Sequence, residues 1–331
     1  MKIDGFLLAM LAVVSLAVAW PALGASTSPV PIGAITTAGI AFIFFLHGAN
    51  LNRESIKSGL KNWRLHVFVQ SSTFILFPLI GVVLLFVTKA VLPWEARIGL
   101  FFLCALSSTI SSSIAMVALA RGNMSAAVFN ASLSGLIGMI VTPILMGLVI
   151  ATHLGEDHSV VSSIIEIALK LLMPFVAGHL LRPILGTVVA THKNWLSSLD
   201  RAIILLIVYA SFSQSTADGL WSRYEPVMLG LIFLIVACLL ATVLMLTQYL
   251  ARTMAFTRED EITAVFCGSK KSLANGAPIA QTLFGTNPAI GMILLPLLIY
   301  HQLQLLVCTL LAQRYAAGDD RTDRVSQGRS A

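Results

Sequence analysis

Between Phe266 and Pro278 the chain reads Phe-Cys-Gly-Ser-Lys-Lys-Ser-Leu-Ala-Asn-Gly-Ala-Pro, with apolar residues on both sides. Two adjacent ammonium groups in that setting can do few things. They can hold an anion, brace neighbouring helices through carbonyl oxygens, or carry a proton. One lysine at the centre of a membrane span costs about 2.5–3.5 kcal/mol on insertion scales, and Gly268, Gly276 and Pro278 weaken the helix around the pair. Polar, broken helices at membrane depth occur where the backbone is buried in protein or lines a water-filled cavity, and they form the binding sites of many membrane carriers.

A second polar interruption, Ser107-Ser108-Thr109-Ile110-Ser111-Ser112-Ser113, lies in another apolar run. If the two runs cross, the hydroxyls of Thr109, Ser111, Ser112 and Ser113 meet Gly268, Ser269, Lys270, Lys271, Ser272 and Asn275 in one buried polar region. Half-helix N-termini and ammonium groups both favour a small organic anion there. Neighbouring residues on a helix point roughly 100° apart. One lysine is therefore expected to face a cavity and the other to brace the crossing; the alternative is that both brace it. A proton-coupled cycle is also open to such a pair. The hydroxyls of Ser107–Ser113 contact a ligand or ion, or else serve as close helix packing.

Other polar residues at depth are fewer. Asn130, Ser132 and Ser134 form one cluster, and Gln70, Ser71, Ser72 and Thr73 another, both read mainly as interhelical hydrogen-bond glue. His301, beside Tyr300, Gln302 and Gln304, either titrates or binds substrate, or is a hydrogen-bonded structural histidine. Glu166 is the acid well inside a span, four residues before Lys170, and the two can pair along one helix face or relay a proton. No nucleophile elbow, His-Glu-x-x-His or phosphate-cradling Gly-Lys-Ser/Thr loop is present, so an enzyme is not expected. No resident cofactor or metal centre is expected either, beyond a proton as coupling ion.

The elements that must position these residues are membrane helices. With 57% apolar and 11% charged residues, a soluble domain of this length is excluded. Ten apolar runs of about the membrane-spanning length lie near 5–23, 31–48, 66–88, 97–119, 124–152, 160–185, 200–218, 225–250, 261–283 and 288–313. The side holding both termini carries fifteen Lys and Arg in its loops against three on the other side, which places both termini in the cytoplasm. The net charge of +6 is thus a topology signal and calls for no nucleic acid. Membrane lipid is the expected surrounding, with no obligate protein partner.

Lys2 and Ala22-Leu23-Gly24-Ala25 give the first run some likeness to a signal peptide, but the repeat described next needs it retained. The four cysteines lie in apolar runs and read as small packing residues. Arg53 to Arg64, with Ile56, Leu60 and Trp63 at helical spacing, reads as a surface helix or a plain linker. Residues 316–331 are polar enough to predict a disordered tail.

Ile137-Gly138-Met139-Ile140-Val141-Thr142-Pro143-Ile144-Leu145 reappears as Ile290-Gly291-Met292-Ile293-Leu294-Leu295-Pro296-Leu297-Leu298, 153 residues later. Each copy follows one of the two polar interruptions. The chain therefore divides into a first five-helix repeat, 1–152, and a second, 153–315, which an odd number of spans forces to enter the membrane inverted. The fold class predicted is an all-α polytopic membrane protein of ten helices in two inverted repeats, with broken helices four and nine crossing near the midplane.

Four stretches carry a family resemblance: Phe-Leu-His-Gly-Ala-Asn-Leu at 45–51, Ala-Arg-Gly-Asn at 120–123, Leu-Leu-Met-Pro-Phe-Val-Ala-Gly-His-Leu-Leu-Arg-Pro at 171–183, and Phe-Cys-Gly-Ser-Lys-Lys-Ser-Leu-Ala-Asn-Gly at 266–276. Over essentially the whole chain the sequence resembles the bile acid:sodium symporter superfamily, in its bacterial branch similar to the seventh member of human solute carrier family ten. The resemblance implies ten helices split between a panel of helices one, two, six and seven and a core holding the rest. It also implies two sodium ions at the crossing. The acidic residue that helps hold them, two positions before the glycine matching Gly268, is Phe266 here. The family's helix-three glutamine falls on Thr73, its helix-four asparagine near Ser113 or Ile114, and its helix-five hydroxyls on Ala127 and Ala131. A glutamine and an asparagine fall on Lys270 and Lys271. Exchanging a carboxylate for ammonium groups inverts the electrostatics of a site for a monovalent cation. The expected function is a symporter-like secondary transporter of a small organic anion, and the alternative is a non-transporting membrane regulator that keeps the fold.

Overall fold

In hydrocarbon an unpaired backbone amide costs several kcal/mol, so apolar runs of this length close their hydrogen bonds internally as helices. The computed structural model describes residues 5–50, 62–154 and 160–328, and every regular element among them is helical. In order these are α1 Gly5–Ala19, α2 Ile32–Ala49, α3 Trp63–Ser71, α4 Phe77–Val87, α5 Trp94–Ala105, α6 Ser111–Leu119, α7 Met124–Leu154, α8 Val160–Thr191, α9 Lys193–Ala217, α10 Pro226–Thr253, α11 Arg258–Gly268, α12 Leu273–Phe284 and α13 Ile290–Gly328. A wide turn, Ser72–Leu76, joins α3 to α4 without ending the helix.

Among the described residues, seven stretches are long and apolar enough to cross a membrane unbroken: α2, the joined α3 and α4, and most or all of α7, α8, α9, α10 and α13. The three other runs expected from the sequence differ for identifiable reasons. α1 is apolar but has only 15 described residues. The runs at 97–119 and 261–283 are each split, into α5 and α6 and into α11 and α12. The outer surface is apolar, with Val227 76%, Phe86 73% and Ile184 73% exposed, as expected of side chains that face lipid.

The helix contacts fall into two groups. α2 packs along α8, and α1 and α2 pack on α9; α5 packs on α4, α7 and α13, and α10 packs on α11 and α13. α9 also touches α12 and α13, joining the groups. The α2–α8 contact is set by a Phe-x-x-Gly in each helix, Phe45 to Gly48 and Phe175 to Gly178. A Cβ on Gly48 would collide with the Phe175 carbonyl oxygen, and one on Gly178 with that of Phe45. Small residues let the two backbones touch, as they do where membrane helices pack closely.

At the end of the bundle near residue 260, α11 is tied down by polar bonds. Thr257 caps it by accepting from the Asp260 N–H at 3.3 Å, and Glu259, Asp260 and Glu261 occupy the first turn, where carboxylates favour the helix dipole. Asp260 then accepts from Asn62 Nδ2 at 2.6 Å and Asn123 Nδ2 at 2.9 Å. Asn123 follows a tight turn in which Arg121 has φ of 60°. These bonds fix the Ala-Arg-Gly-Asn segment and aim α11 at the bundle centre.

Two expectations meet the structure differently. The backbone of α13 stays helical to Gly328, past residue 316, where composition predicts a disordered tail. Extending a helix already nucleated in the bundle is easier than starting one, which offsets the polar composition. Most of the Arg53–Arg64 segment and the side chain of Glu166, hence its pairing with Lys170, lie outside the described residues.

Candidate functional site

The two helix breaks face each other. α5 ends at Ala105, Leu106 is extended with φ −72° and ψ 156°, and α6 starts at Ser111. α11 ends at Gly268, and Ser272, φ −88° and ψ 112°, caps α12 by accepting from the Asn275 N–H at 3.2 Å. The breaks exchange hydrogen bonds: Ser272 N–H donates to the Ser107 carbonyl at 2.9 Å, Ser108 Oγ to the Cys267 carbonyl at 2.7 Å, and Asn275 Nδ2 to Ser107 Oγ at 2.9 Å. Ser113 Oγ donates to the Phe266 carbonyl at 3.2 Å. Groups that an intact helix would satisfy internally are thus satisfied across the crossing.

Both lysines are fully buried within it. Lys270 Nζ donates to the Ser112 carbonyl at 2.9 Å. Lys271 Nζ donates to three carbonyls, those of Thr73 at 3.1 Å, Cys104 at 2.8 Å and Leu106 at 2.6 Å, and lies 4.0 Å from the centre of the Phe77 ring. These carbonyls are available for local reasons. Thr73 sits in the wide turn, where Phe77 N–H bonds to Ser72 O. Cys104 and Leu106 lie at the C-terminal end of α5, where carbonyls lose their helical partners and the dipole favours a cation. In this arrangement both lysines brace the crossing.

The backbone around Lys271 has a further clamp. Gln304 Oε1 accepts from the Lys271 N–H at 2.9 Å, and Gln304 Nε2 donates to the Lys271 carbonyl at 2.8 Å. His301 Nδ1 lies 3.0 Å from the same Nε2, so the buried histidine reaches the break through Gln304. Tyr300 donates its hydroxyl to the Ser269 carbonyl at 2.5 Å. Tyr300→Phe should therefore lower stability by about 1–3 kcal/mol, the cost of one buried carbonyl left unpaired, and a melting curve in detergent reads it directly.

The remaining candidates divide. Ser269 is buried and donates to the Val265 carbonyl at 2.6 Å, and Ser112 donates to Thr109 Oγ1 at 3.4 Å. The Thr73 hydroxyl turns back to Val69 O at 2.9 Å, so its carbonyl, not its side chain, serves the site. Ser111 is exposed at the start of α6. Asn130 belongs elsewhere: its Nδ2 donates to Ala126 O at 2.9 Å, and it accepts from Gln70 Nε2 at its carbonyl, 3.1 Å, and at Oδ1, 3.3 Å. Ser134, one turn on, does reach the crossing, accepting from the Ser108 N–H at 2.9 Å.

A cleft of about 230 Å³ lies at the other end of α12, lined in part by Ser26, Ser28, Thr36, Ser211, Gln214 and Gln281. Ser211 Oγ donates to Gln281 Oε1 at 3.1 Å, and Gln214 Oε1 accepts from the Ser26 N–H at 2.7 Å. The first residues of α2, Ile32 and Gly33, also border it. No lining residue carries a charge, and neither lysine lines it. α12 links cleft and crossing, with Asn275 at one end and Gln281 near the other. The sequence reading did not single out these residues; the polar run Ser211, Ser213, Gln214, Ser215, Thr216 in an apolar helix was the available signal.

The model of the SBF-like CPA transporter family matches residues 4–317. A Pseudomonas aeruginosa protein is 46% identical over 319 residues, covering 96% of this chain and 94% of its own. YfeH of Escherichia coli strain K12, which is named as a symporter, is 45% identical over 314 residues, covering 95% and 93%. The sodium/bile acid cotransporter 7 of Danio rerio is 27% identical over 314 residues, covering 93% and 92%. With apolar helices long enough to cross a membrane several times and two broken helices meeting at its centre, the chain belongs to the SBF-like CPA transporter family, in keeping with its motifs' resemblance to the bile acid:sodium symporter superfamily.

Proposed function

We propose that the protein is an inner-membrane secondary transporter, symporter-like, that moves a small organic anion by alternating access. In this reading ten helices form two inverted five-helix repeats, 1–152 and 153–315, with both termini in the cytoplasm. The cleft beside Gln214 and Gln281 is the substrate's entry on the opposite face, and the crossing is the element that couples it to the other side. The observation that carries the reading is the pair of fully buried lysines where two helix breaks meet, hydrogen-bonded to carbonyls and to no carboxylate among the described residues. Two buried lysines with no carboxylate among their described partners, a cleft lined by uncharged amides and hydroxyls, and the N-terminus of α2 at its rim together favour an anion over a cation.

The test is uptake by proteoliposomes offered a panel of labelled carboxylates and sulfonates. At least one should enter faster than into protein-free vesicles. Gln281→Leu should raise its half-saturation concentration about 10- to 100-fold, because a hydrogen bond to a charged group is worth about 1.5–3 kcal/mol. Uptake indistinguishable from empty vesicles across the panel would overturn the reading. That result would favour a non-transporting membrane regulator, the reading supported by Lys271, whose ammonium has three carbonyl acceptors that hold the crossing.

A further inference from the structure

The surroundings of Lys271 Nζ are those of a bound inorganic cation. Three carbonyl oxygens converge on it at 2.6, 2.8 and 3.1 Å, from two separate places in the chain, and the face of Phe77 closes a further side at 4.0 Å. Channels strip and hold monovalent cations with rings of backbone carbonyls, and aromatic faces attract ammonium and alkali ions alike. Two of the oxygens stand at the negative end of the α5 dipole, which would favour a cation with or without a side chain attached to it. The wide turn at Ser72–Leu76 supplies the third, and such one-residue insertions in helices often mark functional positions. The described partners of the ammonium include no carboxylate.

A lysine meant only to fill space could not satisfy this cage, since methylenes leave three carbonyls unpaired. A lysine meant to meet substrate would need an open side, and Lys271 is wholly buried while its ammonium has three protein acceptors for its three protons. Lys270 differs, with a single carbonyl acceptor. Its neighbour is the one held as an ion would be held.

We propose that the Lys271 ammonium is a tethered cation, occupying a carbonyl-built monovalent-cation site that joins the wide turn after α3, the break after α5 and the break before α12. The charge that a free ion would bring and take away is here covalently attached. The site therefore needs no sodium to hold the crossing together, and deleting the lysine side chain leaves a cavity that a small free cation can enter. The consequence for transport, a cycle indifferent to sodium at this point, rests on the transporter reading; the cation site itself does not.

The experiment is a melting series on the purified full-length protein in detergent, in choline, sodium, potassium and methylammonium chloride at one ionic strength. The wild type should melt at the same temperature in all four. Lys271→Ala should melt lower in choline and be restored saturably by sodium, potassium or methylammonium, by about 3 °C at a tenfold excess over the dissociation constant. Lys271→Met, which refills the volume without charge, should show no cation response. A sodium-specific rise in the wild type, or a folded Lys271→Ala protein that melts alike in all four salts, overturns the proposal. If Lys271→Ala cannot be recovered folded in choline, its recovery in sodium or methylammonium supports the site, and failure in all four salts counts against it. Nothing here needs transport, so absence of anion uptake and absence of a cation response are separate outcomes.

Discussion

Gln304→Leu should be among the most damaging single substitutions in the bundle, costing about 2–6 kcal/mol, since it leaves two buried backbone groups without partners at about 1–3 kcal/mol each. At Lys271 the helix is open, so its N–H and carbonyl have no helical partners, and the Gln304 amide supplies both at 2.9 and 2.8 Å. The side chain acts as a detached peptide group. Without it the break can relax, and the ammonium of Lys271 loses its fixed aim at the carbonyls of Cys104 and Leu106. The melting temperature in detergent should fall by roughly 5–15 °C. Gln302, two residues away at similar depth, supplies the contrast. Its side-chain Nε2 and Oε1 are buried without a hydrogen-bond partner, so Gln302→Leu should be neutral or stabilising. Equal losses in both variants would show that polar content, not the clamp, matters at this depth.

How much of this site was legible in the sequence follows from which atoms do the bonding. Side chains announce themselves: two lysines, a run of hydroxyls and Asn275 in an apolar setting pointed to a crossing, and the side chains of Ser107, Ser108, Ser113 and Asn275 bond across it. The cage of Lys271 is made of carbonyls, which every residue has. The break after α5 frees those of Cys104 and Leu106, and in the wide turn before α4 the residue five on from Thr73 is Pro78, which has no N–H to give its carbonyl; one extra residue in a helical turn leaves no mark on apolar periodicity. Asn130 shows the converse: a polar residue at depth near the right place in the chain, but turned toward Gln70 on α3. The fold was legible where spans are continuous. It was legible too for 97–119 and 261–283, where the polar interruptions at Ser107–Ser113 and Gly268–Pro278 announced the breaks that divide each into two short helices; it was least so for the first run, where a span of membrane length was expected and α1 has 15 described residues. The cleft was not legible, because its walls come from the ends of α2, α9, α12 and α13 and the segment before α2, far apart in sequence.

Gly178→Ala is expected to damage the structure more than any other exchange of one hydrogen for a methyl in the α2–α8 pair, with Gly48→Ala matching it. The added Cβ would overlap the carbonyl oxygen of Phe45 in the first case and of Phe175 in the second. A side chain in the way can rotate, but a helical carbonyl is held by its own hydrogen bond, so the axes must separate. Overpacking a well-filled contact costs about 1–3 kcal/mol even when side chains can yield, and here the cost should exceed that range. Gly230→Ala in α10 is the control, because nothing lies within 4 Å of the position its Cβ would take. It should be stabilising by about 0.5–1 kcal/mol through helix propensity alone. The double variant Gly48→Ala with Gly178→Ala should lose much less than the sum of the two, since the separation forced by one methyl makes room for the other. Additive losses would mean that the two glycines serve independent contacts and not one shared seam.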